Sequence, residues 1–262
     1  MGRTHKFRIK RKYYDLLLAG TKTLEIRVGY SAIKKVRRGD TIMFPDYSKL
    51  QFTVTRVAKY NSFADMARHE DLTKVVPRMS SQKVLEVLEN IYTPDKESLG
   101  VYVIELELRL IRHLSKMQHS PNFKKVADEL YDLTDWICDD YPYHFSHYYQ
   151  KYLPGLKDGT REIIGYYRNQ KPVGVIILKK TPEECKICTL FVSENSRGMG
   201  IASKLVQEGI SFLGTPRPVV TIASHKIDQF EGLVKRFGWV HTKTLPCGYY
   251  NDHSKEYVYN SF

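Results

Sequence analysis

Leu190-Phe191-Val192-Ser193-Glu194-Asn195-Ser196-Arg197-Gly198-Met199-Gly200-Ile201-Ala202 runs from an apolar strand into a turn with glycine at alternate positions, and from there into a helix. Glycine takes up positive φ without strain and lets the backbone approach a ligand closely. The first N–H groups of a helix have no partner inside it, and the helix dipole adds positive potential, so this turn is an anion site suited to a pyrophosphate. The residues exclude two common nucleotide loops. A dinucleotide fingerprint needs a third glycine where Ser203 stands, and an acidic residue about twenty positions on, where the chain has Thr215-Pro216-Arg217-Pro218. A P-loop needs Gly-Lys-Ser/Thr after four intervening residues, and the turn has none.

Outward from the turn, the pattern reads as an α/β order. Strands are expected at Arg161–Tyr167, Pro172–Lys179 and Ile187–Val192, then a helix from about Gly198 to Leu213 and a strand at Val219–Ala223. A helix through Phe230–Phe237 and strands at Trp239–Leu245 and Glu256–Tyr259 follow. Upstream, Ser120-Pro121 is a cap with proline at the first helical position. Phe123, Val126, Leu130, Leu133 and Ile137 then fall on one helical face, ahead of an aromatic-rich helical segment over Tyr141–Tyr152.

In this setting Asn195-Ser196-Arg197-Gly198-Met199-Gly200-Ile201-Ala202 resembles the acetyl-CoA loop of the GNAT N-acetyltransferases, whose signature is Gln/Arg-x-x-Gly-x-Gly/Ala after a strand. Asn195 departs from Gln/Arg at a position that acts through its backbone. The resemblance extends over about residues 120–262, through Val219–Ala223 and Phe237-Gly238-Trp239. It implies acetyl-CoA as cofactor. Leu190, Phe191 and Val192 would hold the pantetheine arm, Arg197, Gly198, Met199, Gly200, Ile201 and Ala202 the pyrophosphate, and Ser224 a further CoA contact. It also implies direct attack of an amine on the thioester. The family's usual acid is a tyrosine four residues before the glycine that follows the last helix, and Val234 stands there. The acid would then be Tyr249, Tyr250, Tyr257 or Tyr259, or water. His144, His147 and Glu162 are the candidates for the base, against the plainer reading of each as a packing residue.

The N-terminal half alternates short strands (Phe7–Ile9, Thr23–Val28, Thr41–Phe44, Phe52–Tyr60, Gly100–Leu110) with helices over Arg11–Ala19, Ser62–Arg68 and Ser81–Ile91. Gly20-Thr21-Lys22-Thr23-Leu24-Glu25-Ile26-Arg27 sets Lys22, Glu25 and Arg27 at the start of a strand just after a helix stop, where two cations can clamp a phosphate and a carboxylate can read a base amino group. This stretch resembles the Gly-x-Lys-x-x-Glu-x-Arg signature of the ASCH domain. The likeness continues through Lys34, Lys35, Arg37 and Arg38 into Gly39-Asp40-Thr41-Ile42 and on to Gly100-Val101-Tyr102-Val103. It implies a PUA-like mixed β-barrel that binds RNA or a modified nucleoside. Some members hydrolyse N4-acetylcytidine with a threonine where Glu25 stands, so the resemblance implies binding rather than hydrolysis. The plainer reading of Glu25 and Arg27 is a surface ion pair.

Charge supports the same division. Of the net +12, residues 1–114 hold +9, from 22 Lys+Arg against 13 Asp+Glu, which concentrates polyanions at one half of the molecule. Cys185-x-x-Cys188 has no second metal-ligand pair, and no metal site is expected. Neither a signal peptide nor a membrane-length apolar run is visible, and a soluble cytoplasmic protein is expected. The expectation is therefore a two-domain α+β and α/β chain. It comprises an ASCH (PUA-like) domain over 1–112 and a GNAT acyl-CoA N-acyltransferase fold over 113–262. Together they would acetylate an RNA-related acceptor: RNA, a nucleoside or an aminoacyl-tRNA. The alternatives are a small-molecule or protein amine with a regulatory ASCH domain, and a non-catalytic CoA- and RNA-binding protein.

Overall fold

The computed structural model describes residues 2–250 and 253–261. The chain divides into two units, Met1–Leu110 with Arg168–Lys171, and Ile111–Tyr167 with Pro172–Phe262. In chain order the first half holds β1 (Thr4–Lys6), α1 (Arg11–Leu18), β2 (Leu24–Val28), β3 (Thr41–Met43) and β4 (Gln51–Tyr60). After these come α2 (Phe63–His69), α3 (Ser81–Ile91), α4 (Pro94–Glu97) and β5 (Val101–His113).

Alternation along β5 builds this unit. Val101 and Val103 face a core with Leu24, Ile26, Phe63, Met66 and Leu88, while Ile104, Leu106 and Leu108 face a second core with Tyr14, Leu17, Phe44 and Phe52. A two-residue period sends successive side chains to opposite faces, so one strand serves both cores. The strand order is β1-β3-β4-β5-β2, with β1 and β3 parallel and the other neighbours antiparallel. No ladder joins β1 to β2 among the described residues, so the expected barrel is an open mixed sheet. Phe7-Arg8-Ile9, expected as a strand, lies outside the ladder. Pairing uses Thr4–Lys6 against Thr41–Met43, and Phe7 and Ile9 pack against the Tyr14 core.

The second unit contains α5 (Phe123–Asp132), α6 (His144–His147), β6 (Arg161–Arg168), β7 (Lys171–Lys180), β8 (Cys185–Val192), α7 (Ile201–Leu213), β9 (Val219–Ala223), α8 (Ile227–Phe237), β10 (His241–Leu245) and β11 (Glu256–Tyr259). Its strand order is β6-β7-β8-β9-β11-β10, with β8 and β9 parallel. The apolar face of α7 (Ile201, Leu205, Val206, Leu213) buries against Ile176, Leu178 and Ile187 of β7 and β8. Gly209 permits the approach, since a Cβ there would meet Ile176 and Leu178 at 3.1 Å.

The expected long helix after Pro121 is shorter. It stops at Asp132, and Ile137 falls in a 3₁₀ turn over Asp135–Asp139. Thr134 Oγ1 donates back to the Tyr131 carbonyl at 2.9 Å, a local bond that competes with helix continuation. The Tyr141–Tyr152 segment is one turn of α-helix followed by a π-turn over Tyr148–Tyr152.

Leu130 on α5 is fully buried beside Gly165 of β6, where a Cβ would meet Leu130 Cδ2 and Tyr167 Cε2 at 2.7 Å. Leu130→Ala is expected to cost about 2–5 kcal/mol in urea unfolding, and Gly165→Ala about 1–3 kcal/mol from overpacking. A change under half a kcal/mol for Leu130→Ala would show that α5 is not clamped to the sheet there.

Candidate functional site

Among the described residues, β8 and β9 pair at Lys186↔Val219 and Ile187↔Val220 and nowhere else. Beyond those two residue pairs the ladder stops, and Cys188–Val192 and Thr221–Ala223 line opposite sides of a cavity of about 600 Å³. Unpaired strand edges present backbone N–H and C=O groups that require partners, so the parting makes a slot suited to a ligand with amides of its own. The other walls come from Trp136, Ile137 and Tyr141 to His144, and from Gln229, Phe230 and Leu233 of α8.

The glycine turn lies at one end of this slot. Gly198 and Gly200 both have φ of 75°, and Gly200 caps α7. The first turn-to-helix bond is Lys204 N–H to Gly200 O at 3.1 Å. Among the described residues, the N–H groups of Gly198 through Ser203 make no hydrogen bond, which leaves successive donors at a helix start for an anion. Of the residues expected to hold CoA, Leu190, Phe191, Val192, Arg197 and Ala202 line the cavity. Gly198, Met199 and Gly200 form the exposed turn beside it, and Ile201 is buried in the core. Ser224 does not line the cavity; its N–H donates to the Lys255 carbonyl at 2.8 Å. The donor set and the parted strands fit acetyl-CoA.

The candidate acid and base residues separate. Tyr250 lines the cavity, and its hydroxyl oxygen accepts from Lys186 Nζ at 3.3 Å, leaving the phenolic hydrogen to donate elsewhere. Tyr259 does not line the cavity and is packed with Trp239 and Ile222 in the core. Glu162, 2% exposed, is also outside it. Its carboxylate accepts from Ser115 N (3.1 Å), Ser115 Oγ (2.5 Å) and Ile163 N (3.0 Å), with His113 at 3.4 Å. His147 and His144 both line the cavity. Lys151 donates to His147 Nε2 at 2.9 Å, which occupies that lone pair. Thr134 gives its one hydrogen to Tyr131 O, so its Oγ1 accepts from His144 Nε2 at 2.9 Å, and the network assigns Nδ1 of His144 as the basic atom. Burial, aided by His147, lowers the His144 pKa and keeps the ring neutral. Sequence reading missed Arg161, Lys179, Lys186 and Tyr152 of the wall. The available signal was the pair Lys186 and Cys188, two positions apart on β8; beyond Cys188 a register shift against β7 breaks the alternation.

In the first unit, Lys22, Glu25 and Arg27 do come together, at a cavity of about 180 Å³ also lined by Arg8, Lys10, Tyr13 and Tyr92. They are not a surface pair. Lys22 is 4% and Glu25 6% exposed. Lys22 Nζ contacts Leu24 O (2.5 Å), Val75 O (3.0 Å) and Glu25 Oε2 (3.1 Å), so its three hydrogens are committed and it is not free to clamp a phosphate. Arg27 Nε donates to the other Glu25 oxygen at 2.8 Å and Nη2 to Arg8 O at 2.6 Å, while Nη1 remains available. Burial alone would push the Glu25 carboxyl up, but Lys22 and Arg27 outweigh it and hold the carboxyl below its ordinary value. Lys34, Lys35, Arg37 and Arg38 are exposed on the turn before β3 and do not line this cavity; Arg37 Nη1 is spent on Lys34 O and Val36 O.

Residues 130–216 match the acetyltransferase (GNAT) family, and residues 7–110 match the ASCH domain. The second domain is a GNAT acetyltransferase domain, and the first is an ASCH domain. Acetyl-CoA is the cofactor expected of such a transferase. Among solved structures, Ard1 from Thermoplasma volcanium is 21% identical, with 58% of this chain and 95% of that chain covered and a TM-score of 0.44. NAA60 of Arabidopsis thaliana, in complex with a bisubstrate analogue, is 18% identical over 58% of this chain and 95% of that one, with a TM-score of 0.42. A Pyrococcus furiosus protein solved by NMR is 28% identical over 39% of this chain and 94% of its own, with a TM-score of 0.35. No curated protein matches the chain. Among the described residues no helix is long and apolar enough to cross a membrane, and no group of three His, Cys, Asp or Glu converges as metal ligands.

Removing one member of a buried ion pair strands the other charge. Lys22→Met is expected to destabilise the first domain by about 3–5 kcal/mol, and Lys22→Met with Glu25→Gln to recover much of that. Because the folded Glu25 pKa lies below its ordinary 4.5, its contribution is present above that value and is lost as pH falls through the lower folded one. Urea midpoints across that range should therefore fall further for the parent than for Glu25→Gln; equal slopes would remove Glu25 as a source of stability.

Proposed function

We propose that the protein transfers the acetyl group of acetyl-CoA to an amine of an RNA-related acceptor, with the ASCH domain holding the nucleic acid. The observation that carries the transferase half is the parting of β8 from β9 beside a turn with free N–H groups. For the RNA half, the support is the +9 of +12 charge in residues 1–114 and the cavity lined by Arg8, Lys10, Arg27, Tyr13 and Tyr92, which pairs cations with aromatic faces. ASCH domains are RNA-associated, which accords with this division of labour.

When bound, acetyl-CoA supplies a thioester whose acyl carbon an amine attacks with loss of the thiolate. The chain's own residues then have separate tasks. N–H groups of Gly198 to Ser203 hold the pyrophosphate, and backbone edges of Leu190 to Val192 hold the pantetheine arm. His144 Nδ1 takes the proton from the attacking amine. Tyr250, with its oxygen fixed by Lys186, gives its hydrogen to the departing sulfur. Neither Glu162 nor Tyr259 has a part in this, because neither lines the cavity.

Replacing Gly198 or Gly200 by a bulky residue should abolish CoA binding in calorimetry while the fold survives, because φ of 75° strains an L side chain and the turn that presents the free amides is lost; unchanged affinity removes the assignment. His144→Gln and Tyr250→Phe should each lower kcat by about 10²-fold or more with CoA affinity kept. The acid limb of kcat/KM should lie below pH 6.5, since burial lowers His144 from that value and the base is lost only when the ring protonates. Turnover against tRNA, aminoacyl-tRNA, polyamines and peptides identifies the acceptor, and a preference for peptides or polyamines would displace the RNA reading. RNA binding should weaken with salt by a slope of about −0.7 in log K per phosphate contact.

A further inference from the structure

The end of the 600 Å³ cavity away from the glycine turn is lined by four permanent cations, Lys151, Arg161, Lys179 and Lys186. Only Lys179 has an acidic partner there, Glu184 at 2.9 Å. Among the described residues Lys151, Arg161 and Lys186 make no ion pair with a carboxylate. Lys226, also on the wall, is neutralised by Asp140. Glu184 on the same wall and buried Glu256 act on Lys186 from a distance, and Asp158 acts on Arg161, but none pairs with them. The cations lining this end outnumber the acids, which favours a ligand that brings negative charge.

Arg161 carries the argument further. Its Nη1 is buried and has no hydrogen-bond partner among the described residues. A buried donor without a partner costs free energy unless something meets it. The guanidinium carbon lies 5.5 Å from the centre of the Tyr152 ring, and the half-buried side chain lines the cavity, so the donors other than Nη1 are the ones a ligand meets first. The backbone makes room for this side chain: a Cβ at buried Gly155 would meet Arg161 Cγ at 2.4 Å. Lys186 is held against Tyr250, the proposed proton donor, so the cation cluster and the reacting end are neighbours.

We infer that the acceptor amine carries a phosphate group, received by Arg161 with Lys186 and Lys151 and used to set the amine against the acetyl end of the cavity. A phosphate monoester brings about −1.5 to −2 charges and three acceptor oxygens, which answers three cations that have no carboxylate at ion-pair distance better than the single charge of a carboxylate. The inference rests on the acetyltransferase reading and names the class of its substrate. Arg161 and Lys186 act as acceptor anchors, and the acyl carrier binds elsewhere, at the glycine turn.

The test uses the full chain saturated with CoA, so that the glycine turn is already filled, and three small amines as probes: ethanolamine, β-alanine and phosphoethanolamine. Calorimetry should give phosphoethanolamine at least about tenfold tighter binding than ethanolamine, with β-alanine between them. Arg161→Ala should abolish the preference, Arg161→Lys should keep part of it, and both should bind CoA as the parent does. Gly155→Ala, which displaces the side chain without removing it, should also weaken the preference. If β-alanine binds as well as phosphoethanolamine, the anchor is for carboxylates and the phosphate assignment is overturned. Equal binding of all three, no binding at millimolar concentration, or a preference that survives Arg161→Ala overturns the anchor itself. Failure of the parent to bind CoA is a different result and removes the transferase reading beneath it.

Discussion

Two strands that begin as a parallel pair and then part set the terms for everything in the second domain. β8 and β9 share two residue pairs and then no ladder. A parallel pair needs a crossover, here α7, which returns the chain over the sheet. The start of that crossover is therefore fixed beside the end of β8, and so are the unbonded amides from Gly198 to Ser203. The gap between the strands and the anion-binding helix start are one construction rather than two adjacent features. Closing the gap by completing the ladder would satisfy the strand edges and remove the cavity.

Along β8 the residues lining the cavity begin with Lys186 and Cys188 and continue without a gap from Thr189 to Val192, because the register against β7 shifts at Cys188 and moves Leu190 and Val192 to the face of Ile187. The order passes from charge, through a thiol that burial keeps protonated, to apolar surface beside the glycine turn. A polar head and an apolar arm thus have separate stretches of a single strand. At about 3.3 Å per residue the stretch from Lys186 to Val192 spans roughly 20 Å, enough to keep the two ends chemically distinct. The first domain uses its cations differently. Lys22 spends all its donors inside the fold to hold Glu25, and Arg27 is the member left with a free nitrogen.

What could be read in the sequence was local or periodic. Val219–Ala223 and Glu256–Tyr259 were legible to the residue, as were the cap-initiated α2 and α3 to within a residue or so, because alternation and capping residues act over a few positions. The glycine turn was legible for the same reason. Arg161 and Lys186 were not, since they meet from separate strands across the cavity. The burial of Lys22 was equally hidden: the partner that commits its last hydrogen is the carbonyl of Val75, 53 residues away. Sheet closure depends on whether β1 and β2 find each other, which no local pattern specifies. Thr134 cut the Phe123–Ile137 periodicity short through one side-chain bond that the apolar spacing does not reveal.

The two glycines of the turn also separate two requirements that are usually confounded. A Cβ on Gly165 collides with Leu130 and Tyr167, and one on Gly209 presses tightly on Ile176 and Leu178, so those positions are small because there is little room. At Gly198 and Gly200 nothing lies within 4 Å of a Cβ, yet φ is 75° at both. An L-residue there meets backbone strain and no obstacle, and asparagine, which visits that region more readily than alanine, would meet the least. What the loop preserves at these positions is therefore a handedness of the chain, a chiral condition rather than a limit on size.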